Sequence, residues 1–144
     1  MFKMNRKIEY ALIALKHMSK KDPKKLTSAK EICDAYETPF DPTSRVLQIM
    51  TQHGVLHAEQ GAKGGYRITR NLNGLTAREL SDMIIGPIEI TTCLHDHPSE
   101  CSISSKCRII SSMASLNDRI RDLFDTISVA HLIDLNQPEE ALAK

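Results

Sequence analysis

A chain of 144 residues fits one compact domain, or a small domain with an oligomerisation element. Its composition is ordinary for a globular protein, apart from the absence of Trp and an aromatic fraction of 4%, and no apolar stretch approaches the roughly 20 residues that span a bilayer. The net charge of +1 conceals two unlike halves: residues 1–70 hold 13 Lys/Arg against 7 Asp/Glu, and residues 71–144 hold 6 against 11. The first half suits a polyanionic partner and the second does not, although a solvated charged surface would give the same tally.

The opening stretch MFKMNRKIEYALIALKHMSKKD resembles a signal peptide only superficially. Its apolar run is amphipathic, contains Glu9 and lacks a small-residue cleavage site, so a cytoplasmic location is expected. From Arg6 to Met18, Ile8, Leu12 and Leu15 share one face with Ala11 and Ala14 nearby, which predicts a first helix. SKKDPKK then reads as a charged loop. Ser28 with Glu31 three residues later has the capping-box spacing and opens a short helix through about Tyr36, which Thr38-Pro39 breaks. Asp41 is expected to cap the next helix with Pro42 at its first position, where a missing N–H costs nothing. That helix should turn Val46, Leu47 and Met50 inward, run to His53 and stop at Gly54.

Helix, short helix, turn, helix is the helix-turn-helix order, and the next residues fit a wing. Val55 to Glu59 and Tyr66 to Thr69 read as short strands joined by QGAKGG, where Gly61, Gly64 and Gly65 permit positive φ and Lys63 sits near the tip. Thr76 with Glu79 marks a second capping box, opening a helix that ends at Gly86-Pro87. The loop CLHDHPSECSISSKC follows. Beyond Cys107, Ile109, Met113, Leu116, Ile120, Leu123 and Ile127 are spaced 4, 3, 4, 3, 4, an a/d seam that pairs with a partner helix or lies on its own domain. A short helix is expected near residues 128–135, and NQPEEALAK reads as a frayed tail.

The expected fold is mainly α with a small β-wing. It comprises a winged helix-turn-helix DNA-binding domain (residues 1–86), a cysteine loop (87–107), a dimerisation helix with a terminal helix (108–135), and a flexible tail (136–144). A helix-turn-helix presents the N-terminal part of its second helix to the major groove, so Thr43, Ser44, Arg45 and Gln48 are candidate DNA contacts. Among them only Arg45 carries a fork that reads guanine bidentately. Lys63 is placed to enter a minor groove or meet phosphate.

Cys93, Cys101 and Cys107, separated by seven and five residues, match neither the C-x2-C knuckle of most structural zinc sites nor the tight bacterial ferredoxin run. An iron–sulfur cluster, a zinc site completed by His95 or His97, and a disulfide or inert thiols all remain open. In a reducing compartment metal or redox chemistry is favoured over a structural disulfide. Cys33 reads as a small core residue. No nucleophile–base pair, phosphate-cradling loop or paired carboxylates point to an enzyme.

Taken together, EYALIAL in the first helix, VLQIMTQHGVL in the recognition helix, GAKGGYRI in the wing and the three-cysteine loop before a long helix resemble the IscR/NsrR/RirA family of winged-helix iron–sulfur transcription regulators. The resemblance covers about residues 4–135. It implies a homodimer with crossed long helices that binds double-stranded promoter DNA. It also implies a 4Fe–4S or 2Fe–2S cluster on Cys93, Cys101 and Cys107 whose state changes DNA affinity. The longer first gap is similar to the iron-responsive RirA type. In one version of the family an acidic residue before the Tyr-Ala of the first helix reaches across from the other subunit as fourth ligand, the place Glu9 occupies before Tyr10-Ala11. Two positions depart from the pattern: Gln60 replaces an Arg before the wing glycine, and Thr43 replaces an apolar residue near the start of the recognition helix.

Overall fold

The structure is a computed structural model and describes residues 3–94 and 101–133. His95, His97, the last two residues expected in the terminal helix and the tail lie outside the described residues. Among the described residues the α-helices and strands are, in order, α1 (Arg6–Ser19), α2 (Ala29–Tyr36), α3 (Phe40–Gln52), β1 (Leu56–Glu59), β2 (Gly65–Ile68), α4 (Ala77–Ile85), α5 (Ile110–Thr126) and α6 (Val129–Ile133). This is the mainly helical, winged architecture that the sequence predicts.

Local capping signals set most of the boundaries. Asn5 starts α1 by accepting the Lys7 N–H at 2.9 Å. Ser28 starts α2 by accepting the Glu31 N–H at 3.1 Å. The Glu31 carboxylate does not return to its own helix start; it turns to Lys21 and His17 instead, so that capping box is only half formed. The box at α4 is complete, with Thr76 Oγ1 accepting the Glu79 N–H at 3.1 Å and Glu79 Oε2 accepting the Thr76 N–H at 3.0 Å.

The start of α3 differs from expectation. Pro39 is its N-cap, no side chain caps it, and the helix begins at Phe40 rather than at Pro42. Pro42 becomes the third helical residue, where the amide N–H still lacks an intrahelical acceptor, so proline is tolerated. Asp41, expected as the cap, lies in the first turn, where its carboxylate suits the positive end of the helix dipole.

Val46, Leu47 and Met50 of α3 join Ile8, Ala11, Ala14, Leu15 and Met18 of α1, Leu80 and Ile84 of α4, and Val55 and Leu75 in one core. Each fully buried Leu, Ile, Val or Met contributes roughly 1.5–3 kcal/mol relative to exposure. Val129 and Ile133 of α6 belong to the same core. The chain is brought back there by two backbone bonds, Val129 N–H to the Leu75 carbonyl at 2.7 Å and Ala77 N–H to the Ile127 carbonyl at 2.8 Å.

In the wing β1 and β2 pair antiparallel, with Leu56 opposite Ile68 and Glu59 opposite Gly65. Thr27, in the loop before α2, exchanges both backbone hydrogen bonds with Tyr66 at 2.8 Å each, which ties the wing to the helical body. Gly65 makes that approach possible: a Cβ there would lie 2.8 Å from the Thr27 carbonyl oxygen. Gly61 adopts φ +109°, as the hairpin requires. Gly64 does not have positive φ, contrary to expectation; a Cβ at Gly64 would run into the Glu59 carbonyl.

Candidate nucleic-acid interface and cysteine segment

The 3.6-residue period divides α3 into two faces. Thr43, Val46, Leu47 and Met50 are buried, while Phe40, Asp41, Arg45 and Gln48 are exposed and Ser44 is half-buried. Thr43 was expected among the outward residues, and the structure corrects this. It is 1% exposed and its hydroxyl donates to Thr38 Oγ1 at 3.0 Å. Its spacing from Val46 and Leu47 puts it on the inner stripe, and the hydroxyl is satisfied locally by the turn before α3. Arg45 on α3 and exposed Lys63 in the wing loop have no intramolecular ion-pair partner among the described residues. Both cations therefore remain available to an external anion.

α1 and α2 are joined by a polar cluster that sequence reasoning missed. His17 Nε2 lies 2.9 Å from Glu31 Oε1, its Nδ1 lies 3.0 Å from the Tyr36 hydroxyl, and Lys21 Nζ donates to Glu31 Oε1 at 2.7 Å. The Lys21 ammonium, and next His17, hold the Glu31 carboxyl below the usual carboxylate range. Thirteen residues lie between His17 and Glu31 and eighteen between His17 and Tyr36, so no local spacing announces the cluster.

The cysteine segment begins where Gly86, at φ +91°, ends α4. Ile88 to Ile90 are then strapped to α5. Asn117 Oδ1 accepts the Ile90 N–H at 3.0 Å, and Arg121 Nε donates to the Ile88 carbonyl at 3.0 Å. Arg121 also lies 4.0 Å from Glu89 Oε1. The only sequence signal for Asn117 is a polar residue four positions after Met113 and three before Ile120, close to the apolar stripe. Farther along, Arg78 Nη1 meets Asp125 Oδ2 at 2.6 Å, fixing α5 to α4.

Cys93 sits in a short 3-10 turn with its Sγ 3.3 Å from Thr91 Oγ1. The Cys101 carbonyl accepts the Ser104 N–H at 3.1 Å, and Cys107 follows the turn Ser104–Lys106. All three cysteines are free and half-buried, and so is Cys33 on α2, which was expected in the core. Free thiols suit iron–sulfur ligation as a donor set. Among the described residues, however, no three Cys, His, Asp or Glu side chains converge into a metal-binding group. Glu9 is paired within its own helix to Arg6 at 3.1 Å.

Along α5 and the two residues that cap it, Ile109, Leu116 and Leu123 of the predicted seam are exposed, and Met113, Ile120 and Ile127 are half-buried. Among the described residues no helix is long and apolar enough to cross a membrane.

A winged helix-turn-helix followed by a long helix with an open apolar seam is the architecture of a winged-helix transcription regulator. The chain belongs to the Rrf2 family, whose profile, described as "Iron-dependent Transcriptional regulator", matches residues 4–135. Members of this family are transcription regulators that bind DNA and typically form dimers. Among solved structures, CymR, the global cysteine regulator of B. subtilis, is similar at 20% identity, with 95% of this chain and 100% of that chain covered and a TM-score of 0.69. The oxidized form of Staphylococcus aureus CymR is 19% identical over 95% of this chain and 100% of that one, with a TM-score of 0.71. T. potens IscR is 15% identical over 97% of this chain and 96% of that one, with a TM-score of 0.65. At these identities the likeness concerns the fold.

Proposed function

We propose that this chain is a homodimeric regulator that reads promoter DNA with α3 and the wing and senses iron, redox state or nitric oxide through an iron–sulfur cluster. Residues 1–86 form the DNA-binding unit, 87–107 the sensing segment, and 108–135 the dimerisation and terminal helices. Arg45, Ser44 and Gln48 meet base edges or phosphates, and Lys63 meets the minor groove or backbone. Thr43, buried with its hydroxyl on Thr38, does not face the DNA. Cys93, Cys101 and Cys107 would hold the cluster, with Glu9 of the partner subunit or a loop histidine as candidate fourth ligand. When bound, a 4Fe–4S or 2Fe–2S cluster supplies a centre reactive toward oxidants and nitric oxide.

The observation that carries this reading is the double strap of Asn117 and Arg121 between residues 88–90 and α5. It gives a rearrangement near Cys93 a direct mechanical route to the helix that pairs with the partner. Anaerobic purification followed by an absorption spectrum, iron and sulfide counts, and DNA titration in the loaded and stripped forms tests it. A brown protein whose operator affinity differs between the two forms is expected. A colourless protein with stoichiometric zinc would reject the cluster.

A second reading is a thiol switch without a cluster. Cys93, Cys101 and Cys107 are half-buried rather than sealed in the core, so a small oxidant can reach them. The fold likeness to a CymR captured in an oxidized form points the same way. Under that reading, peroxide changes DNA affinity in metal-free protein and Cys101→Ser abolishes the change.

A further inference from the structure

We propose that Phe40 is a specificity-determining residue that reads the 5-methyl group of thymine in the major groove. This rests on the assignment of α3 as the reading helix. Phe40 is the first residue of α3 and is 55% exposed. It belongs neither to the core nor to the partly buried side chains packed against it. The nearby aromatic Tyr36 is already engaged, with its ring edge-to-face to His17 at 5.5 Å between centroids and its hydroxyl 3.0 Å from Nδ1. Phe40 has no such partner among the described residues. A large apolar surface is thus held in water on the turn of the helix that a helix-turn-helix inserts first.

Helical spacing places Phe40, Ser44, Gln48, Asp41 and Arg45 in succession around an arc of about 140°. Phe40 and Arg45 occupy its two edges, about 7.5 Å apart along the axis, so they meet different base pairs. A phenyl ring has no donor or acceptor and cannot read a base edge by hydrogen bonding. The apolar feature on the floor of the major groove is the thymine methyl. Phe40 therefore selects thymine at one position of each half-site, while Arg45 selects guanine at another.

The test begins with operators selected from random duplex DNA by the full-length protein. Each thymine is then replaced in turn by deoxyuracil, which keeps every hydrogen-bonding group and removes only the methyl. With the wild type, one substitution per half-site should weaken binding about fourfold, the factor that burying one methylene-sized group supplies. With Phe40→Ala that penalty should vanish, and with Phe40→Leu it should persist in part. Unchanged melting of both variants is expected from the exposure of the site, and the leucine variant keeps the test usable if the alanine variant melts early. Uracil tolerated at every position, or a penalty that survives Phe40→Ala, overturns the proposal while Arg45→Ala still impairs binding. If Arg45→Ala binds as wild type does, α3 is not the reading helix, and both assignments fall.

Discussion

Replacing Asn117 with alanine removes the acceptor that holds the Ile90 amide to α5 at 3.0 Å. Asn117 is 3% exposed, so water has little room to substitute from the helix side, whereas Ile90 is half-buried and regains some solvation. A net hydrogen bond contributes about 1 kcal/mol, and a stranded buried partner costs about 1–3 kcal/mol. Partial access at Ile90 places the loss near 1–1.5 kcal/mol, roughly a tenfold rise in the fraction of molecules with residues 88–90 detached. Hydrogen exchange of the peptide spanning those residues measures this directly and should accelerate by about that factor. Arg121→Ala should act on the same peptide through the Ile88 carbonyl. The double variant should lose less than the sum, because the first change already frees part of what the second one holds. Unchanged exchange in Asn117→Ala, or additive losses in the pair, would refute the idea of a shared strap.

Three further outcomes are expected. Arg45→Ala should weaken operator binding about tenfold or more, the loss of one bidentate base contact, and flatten sequence preference at one position, measured by titration at fixed salt. Gly65→Ala should push β2 away from Thr27 and break the rung at Tyr66, lowering the urea midpoint by an amount equivalent to about 1–3 kcal/mol; a wild-type midpoint would refute the close approach. Glu79 is held below the ordinary carboxylate value of 4.5, first by the Thr76 N–H and then by Arg70, and Glu31 is depressed by Lys21 and His17. Because both folded values are lowered, their stabilisation is fully present above about pH 4.5 and is lost as pH falls through the folded values. Glu79→Gln should shallow that acid limb in thermal melts at graded pH.

The parts of the fold legible in the sequence are those governed by neighbours within four residues. Ser28 and Thr76 announce α2 and α4 through side chains that reach the amide three positions on. The spacing of Val46, Leu47 and Met50 fixes the inner face of α3. Asp41-Pro42 misplaced the start of that helix, since proline is acceptable at any of the first helical positions and marks a region rather than a residue. Thr43 was misjudged because its polarity outweighed its position on the 3–4 stripe. The clusters around His17 and Glu31, Arg78 and Asp125, and Asn117, Arg121 and residues 88–90 pair groups distant in sequence. Their geometry exists only after the core has formed.

α5 carries two faces of opposite service: Asn117 and Arg121 grip the segment that leads to Cys93, while Leu116 and Leu123 lie open along the seam. Under the proposed pairing of α5 with its copy in a second subunit, one helix takes part in both, so subunit association and segment geometry become linked equilibria, and each must bias the other by the same factor. The number of copies in a cell then becomes part of the response. In a scarce population, a change at the segment governs how many dimers exist. In an abundant one, pairing is saturated, and the same change acts only on how the two reading heads are set.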